Sequence, residues 1–118
     1  MLGDVDDVRP QLAAADIVLL PSYREGIPRA AMEAAATGRP VVAYDIRGVR
    51  EVIPSQADLL APLGDISALE KVVRRVVEDP TAREQAGRLC TDHVRSSFSE
   101  RHVVSHLTKI YQEMGVLP

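Results

Sequence analysis

The sequence predicts an α/β fold with about three parallel strands flanked by helices. Two observations carry that prediction. Runs of consecutive branched apolar residues, such as Ile17–Leu20, read as strands buried on both faces rather than alternating ones. The order is strand, helix, strand, short helix, strand, then helices, which is the order of crossover connections between parallel neighbours. In such sheets ligands bind beyond the carboxyl ends of the strands.

The chain opens with "MLGDVDDVRPQLAA", a scrap of strand and then a short helix around 8–14. "ADIVLLPS" (15–22) is the first strand, ended by proline and serine. "PRAAMEAAATG" (28–38) is a helix, with Pro28 at its first position and Gly38 as a left-handed stop. Small side chains at Ala30–Ala36 let it lie close to the sheet. "RPVVAYD" (39–45) is the second strand, and "ADLLAPLGD" (57–65) a weaker third. The helix over 64–80 puts Leu69, Val72, Val73, Val76 and Val77 on one face, and Ser67 and Glu70 have capping-box spacing. Asp79-Pro80 ends it and starts the next helix, over 81–98. A last helix over 99–114 carries Val103, Leu107, Ile110, Tyr111 and Met114 on one stripe.

A sheet of three strands is small, and its first strand has an unprotected edge. The chain is therefore expected to be part of a larger domain, or to cover that edge by forming a homodimer or pairing with a complementing polypeptide.

Composition narrows the class. The 118 residues make one domain, with 46% hydrophobic residues and no run long enough to span a membrane. Met1 is followed by acidic and polar residues, so no signal peptide is expected. Fourteen basic and 17 acidic residues are well mixed, for a net charge of −3, which argues against binding nucleic acid. The single cysteine, Cys90, cannot form an internal disulfide, so a cytoplasmic protein is the expectation.

The chemistry concentrates in "REGIPRAAMEA" (24–34), which follows the carboxyl end of the first strand. Gly26 lets the backbone approach closely and turn. The amides of Ile27, Arg29 and Ala30 can meet an anion at the start of the helix, where the dipole favours one; Pro28 has no N–H to offer. Glu25, before the turn, can reach a polyol or a developing positive charge. Glu33, one to two turns into the helix, can accept from two vicinal hydroxyls, as a ribose presents. Sugar, phosphate and ribose in that order describe a nucleotide-sugar. The same spacing is equally compatible with ordinary capping and a solvated helical glutamate.

Other residues carry less. Asp45 and residues 47–51 follow the second strand and are expected to line the same cleft, Gly48 permitting a turn and Glu51 capping a short helix. His102 and His106 have i, i+4 spacing but no third ligand, so no metal site is expected. His93 reads as a surface residue, and Cys90 as a small buried one rather than a nucleophile.

Residues 15–53, from "ADIVLLPSYREGIPRAAMEAAATG" to "RPVVAYDIRGVREVI", resemble the carboxyl-terminal domain of the retaining nucleotide-sugar glycosyltransferases known as family 4 or group 1. The mark is Glu-x7-Glu, here Glu25 to Glu33. The resemblance extends to "LGDVDDVRPQLAAAD" before it and to "PLGDISALEKVV" and "FSERHVVSHLTKIYQEM" after it. The "YREGIPRAAMEAA" form is most similar to enzymes of capsule, exopolysaccharide and lipopolysaccharide assembly.

The resemblance implies a truncated, partial Rossmann-like domain over 1–118, the donor half of a two-domain GT-B enzyme, with its last helices at about 81–114. It implies Glu33 on the ribose, Glu25 as the catalytic-site glutamate on the donor sugar, and Gly26, Ile27, Pro28 and Arg29 as the loop at the diphosphate or sugar. It implies no metal and no cofactor, the nucleotide-diphosphate sugar being the substrate, with UDP favoured, and a glycan or lipid-linked acceptor. The family's basic pair for the diphosphate, much of its base pocket and its acceptor domain lie upstream of this chain, so the chain alone is expected to be inactive. Arg24 or Arg29 can replace part of the missing charge. The family's glycine turn before the third strand reads here as "PSQADLLAP", without glycine. The full-length enzyme is expected in the cytoplasm, at the inner membrane face. The alternative is a non-catalytic remnant module that associates through its open edge; an epimerase or phosphorylase of the same two-domain plan matches the motif's flanks less well.

Overall fold

A computed structural model describes residues 3–118. Three strands, β1 (Val18–Leu20), β2 (Val41–Tyr44) and β3 (Leu60–Ala61), form a parallel sheet in the order β1-β2-β3. Val18 faces Val41 and Leu20 faces Ala43 across the first pair, and Ala43 faces Leu60 across the second. β2 is buried at all four residues. Because successive side chains point to opposite faces, both faces of the central strand are covered. The expected α/β architecture is therefore present.

Every strand is shorter than expected. Pro21 has no N–H to donate and ends β1. Residues 55–57 form a turn of 3₁₀ helix, and Asp58 adopts a left-handed conformation (φ 54°), so the third strand cannot begin at 57. The start of the chain shows no strand over residues 3–8, and the part of the expected scrap at 1–2 lies outside the described residues. The helix near 8–14 is present as α1 (Arg9–Ala14).

Helix α2 (Arg29–Ala36) starts one residue later than expected, Pro28 standing as its cap with an extended ψ of 109°. It ends as the sequence predicts. Gly38 has φ +82°, its N–H bonds to the Ala35 carbonyl, and the Arg39 N–H bonds to that of Ala34. That pair of bonds is a Schellman motif. The small face of α2 buries Ala31, Ala34 and Ala35 completely. Helix α3 (Arg47–Arg50) follows β2, and Val49, Val52 and Ile53 drive into the core beside Val41, Val42 and Leu59.

Helix α4 (Ile66–Glu78) is capped by Asp65, whose side chain accepts from the Ala68 amide at 2.9 Å. The cap therefore lies two residues before Ser67, because the sharp turn at Gly64 (φ +79°) starts the helix early. Leu69 and Val76 are buried, Val72 and Val73 pack on the core, and Val77 is 54% exposed at the edge of the stripe. Asp79 caps α5 (Pro80–Phe98), its carboxylate accepting from Thr81 and Ala82.

Helix α5 lies against the end of α2 without space between them. A methyl group on Gly87 would overlap the Gly38 carbonyl, and the Thr91 hydroxyl donates to the carbonyls of Ala35 and Gly87. Helix α6 (Glu100–Glu113) is capped by Ser99 and buries no residue. Its stripe of Val103, Leu107, Ile110, Tyr111 and Met114 forms as predicted but is 38–67% exposed. No described helix is long and apolar enough to cross a membrane.

Candidate functional site

The loop from Pro21 to Pro28 leaves the carboxyl end of β1 and feeds α2. Tyr23 lies within it, its ring set against Tyr44 at the end of β2, centroids 5.5 Å apart. Pro28 is buried and fixes the entry to the helix, while Glu25, Gly26, Ile27 and Arg29 are exposed. Among the described residues α4, α5 and α6 have side-chain caps, whereas α1, α2 and α3 have none. The Met32 amide is the first to bond back, to the Pro28 carbonyl at 3.1 Å, which leaves the amides of Arg29, Ala30 and Ala31 without a helical partner. An uncapped start on an eight-residue helix is where an anion gains most from the dipole.

The two glutamates face different spaces. Glu25 lines a cavity of about 310 Å³ with Gly26, Ile27, Arg47, Gly48 and Glu51. Glu33 lines a second cavity, about 550 Å³, with Asp6, Asp7, Val8 and Arg9 before and at the start of α1, Leu12, and Ala36 and Thr37 on α2. In the chain, Pro28 and the first turn of α2 stand between the two glutamates. Glu33 also receives the Arg29 guanidinium, Nε to Oε1 3.2 Å, with the arginine side chain 90% and the glutamate 40% exposed. Such a pair is worth only a few tenths of a kcal/mol and exchanges readily for other partners.

Gly26 needs no left-handed conformation, and a methyl group on it would meet nothing within 4 Å. The requirement for glycine falls instead on Gly48. A methyl group there would overlap the Gly26 carbonyl oxygen and crowd that of Glu25. Gly48 lies inside α3 with no positive φ, so it serves close approach rather than the turn expected of it.

Arg47, Gly48 and Glu51 adjoin the Glu25 loop as expected, but Asp45 does not. Its carboxylate takes the Arg50 guanidinium at 2.5 Å, and together they line a separate cavity of about 500 Å³ with Ile53, Ser55, Asp58 and Leu60. Glu51 sits at the carboxyl end of α3. Its carbonyl meets His93 Nε2 at 2.9 Å, so His93 is half-buried between α3 and Phe98 rather than a free surface residue. His102 and His106 stack on the exposed α6, centroids 6.3 Å apart, and no group of three or more metal-ligating side chains forms among the described residues. Cys90 is fully buried, and burial pushes its thiol up to about 11, which removes it as a nucleophile at neutral pH.

The sequence missed the opposite wall of the Glu33 cavity. Asp7 and Arg9 form a two-pronged pair, Nε–Oδ1 and Nη2–Oδ2 both 2.9 Å, which holds the Asp7 carboxyl below its usual range. The signal available was the i, i+2 acid and base just before Pro10.

A family model described as group 1 glycosyl transferases matches residues 1–79. The chain belongs to that family. This group 1 chain is 34% identical over 101 residues to a glycogen synthase of Mycobacterium tuberculosis, covering 85% of the chain and 24% of that protein. It is 29% identical over 117 residues to the UDP-Gal:alpha-D-GlcNAc-diphosphoundecaprenol alpha-1,3-galactosyltransferase of Escherichia coli, covering 98% of the chain and 30% of that protein. Among solved structures it superposes on the sucrose-phosphate synthase of Thermosynechococcus elongatus with a TM-score of 0.78 and 29% identity, over 91% of the chain and 27% of that protein. The fold is that of a group 1, GT-B glycosyltransferase domain. The chain spans about a quarter of the length of these curated relatives.

Proposed function

We propose that this chain is the donor-binding part of a glycosyltransferase, a truncated Rossmann-like domain over residues 1–118. The reaction is transfer of a hexose, with retention, from a nucleotide-diphosphate sugar to a glycan or lipid-linked acceptor. The observation that carries the reading is the uncapped start of α2, which lies in the chain between Glu25–Ile27, lining one cavity, and Glu33, lining the other. The diphosphate meets the free amides beside Gly26, Ile27 and Pro28, and Arg29 leaves Glu33 to join it. Glu33 then takes the ribose hydroxyls, and the base enters the cavity between α1 and α2. Glu25 faces the donor sugar, stabilising charge as the sugar–phosphate bond breaks. Neither metal nor cofactor enters this scheme.

UDP is the favoured nucleotide, which the UDP-Gal donor of the Escherichia coli galactosyltransferase supports. Its diphosphoundecaprenol-linked acceptor likewise supports a lipid-linked acceptor, and with it a site of action beside a membrane. The edge of β1, with Leu19 half exposed, is where the remainder of such an enzyme, a complementing polypeptide or a second copy pairs. The chain by itself binds donor weakly and transfers little. Titration with UDP- and GDP-sugars, comparing wild type with Glu33→Ala, tests the reading: the variant loses about tenfold in affinity if one carboxylate–ribose contact is removed. Equal binding by the variant disproves the ribose assignment, and robust transfer by the purified chain disproves the donor-half assignment.

A further inference from the structure

The cavity beside Glu25 is walled by two segments far apart in sequence, Glu25–Ile27 on one side and Arg47, Gly48 and Glu51 on the other. The contact between Gly48 and the Gly26 carbonyl fixes the spacing of these walls. At about 310 Å³ the space is at the small end of small-molecule pockets. Its charged groups are two carboxylates and one guanidinium, and among the described residues none of the three is in an ion pair. Carboxylates only accept hydrogen bonds and a guanidinium only donates them. A hydroxyl does both, so a ring of hydroxyls satisfies such a lining. A second negative group entering it meets two carboxylates against one cation.

We propose that Arg47 and Glu51 complete the sugar seat opened by Glu25, and that this seat selects a neutral hexose over a uronic acid. The proposal rests on the nucleotide-sugar reading above and names the sugar class that reading leaves open. Arg47 donates to a sugar oxygen, Glu51 accepts a hydroxyl from the α3 side, and Glu25 accepts one from the loop side. A carboxylate at the sugar's C6 position is disfavoured by both glutamates.

The test is a titration of the ¹⁵N-labelled chain, followed by amide shifts, with UDP, UDP-glucose and UDP-glucuronate. The two sugars differ only at C6, where a hydroxymethyl group is replaced by a carboxylate that carries charge and cannot donate. Wild type is expected to bind UDP-glucose about fivefold more tightly than UDP-glucuronate, the size of one hydrogen bond or weak charge contact. Arg47→Ala weakens UDP-glucose by about the same factor and leaves UDP unchanged. Glu51→Gln narrows the gap between the two sugars. Both side chains are exposed, so the variants keep the fold. Equal or tighter binding of UDP-glucuronate by wild type overturns the proposal. So does an Arg47→Ala variant that weakens UDP and UDP-glucose alike, since the guanidinium then serves the phosphate. Failure of UDP itself to bind defeats the underlying nucleotide reading, and the sugar seat with it.

Discussion

Gly48, inside α3, lies so close to the carbonyl oxygen of Gly26 that even a methyl group on it would occupy the same space. A residue remote in sequence thus decides where the loop of Glu25 sits. Gly48→Ala is expected to force that loop outward and to cost about 1–3 kcal/mol, the usual range for overpacking a tight site. Urea unfolding measures the loss, and amide shifts confined to residues 25–27 and 47–51 locate it. A variant of wild-type stability with unmoved shifts would show that the contact relaxes freely.

Arg29 and Glu33 form an exposed i, i+4 pair. Arg29→Ala is expected to change stability by less than about 0.5 kcal/mol. If the arginine joins the diphosphate when donor binds, the same variant weakens UDP more than it weakens uridine. Thermal melts and parallel titrations of the two ligands check both halves.

Asp79 caps α5 with bonds to two amides. Asp79→Ala is expected to cost about 1 kcal/mol, and Asp65→Ala on α4 a similar amount. Chemical denaturation of the single variants reads each value; the two caps belong to different helices, so the double variant should lose roughly the sum.

The buried Cys90 thiol gives the fold an alkaline limit. Its pKa is raised from an ordinary thiol's value to about 11 by burial. An acid whose pKa is raised by folding contributes stability that is complete below the unfolded value and lost as pH climbs through the folded one. Stability should therefore fall between about pH 9 and pH 11, by about 3 kcal/mol at most from this group. Burial raises Tyr44 as well, so part of the slope persists above pH 10 in Cys90→Ala. Melting curves of both proteins from pH 7 to 11 check the difference, and slow thiol labelling at pH 8 checks the burial.

Helix α6 contributes an exposed apolar stripe and no buried residue. Removing residues 99–118 is expected to leave the melting temperature within a few degrees, because about 1 kcal/mol corresponds to 4–8 °C in a domain of this size. A helix of 14 residues without tertiary support is marginal in water, so its amides should exchange faster than those of α5.

The sheet and the helices were legible in the sequence because burial on both faces leaves long apolar runs such as Ile17–Leu20, and because Gly38 and Asp79-Pro80 punctuate the helices where local sterics demand it. Strand lengths were less legible, since Asp58 turns left-handed through a side chain that ordinary propensity also permits in a strand end. The Glu25–Glu33 spacing was visible; that the two carboxylates open onto separate cavities was not, because the second wall of each comes from a distant segment. Gly48 was visible as a glycine, yet its partner is a carbonyl 22 positions earlier, and no local pattern encodes such a contact. Asp45 was misassigned to the cleft because Arg50, five residues on, turns it toward β3.

Arg39 gives the molecule a gauge. Its guanidinium donates to the carbonyls of Leu12 and Ala13 at 3.0 and 2.8 Å, tying the end of α1 to the turn that follows α2. The distance between those two helices is the width of the slot beside Glu33. A shorter or differently hydrated side chain at position 39 would reset that width without altering one ligand-facing atom. On the proposal that the base enters this slot, preference between a one-ring and a two-ring base would drift through Arg39, a residue that does not line it.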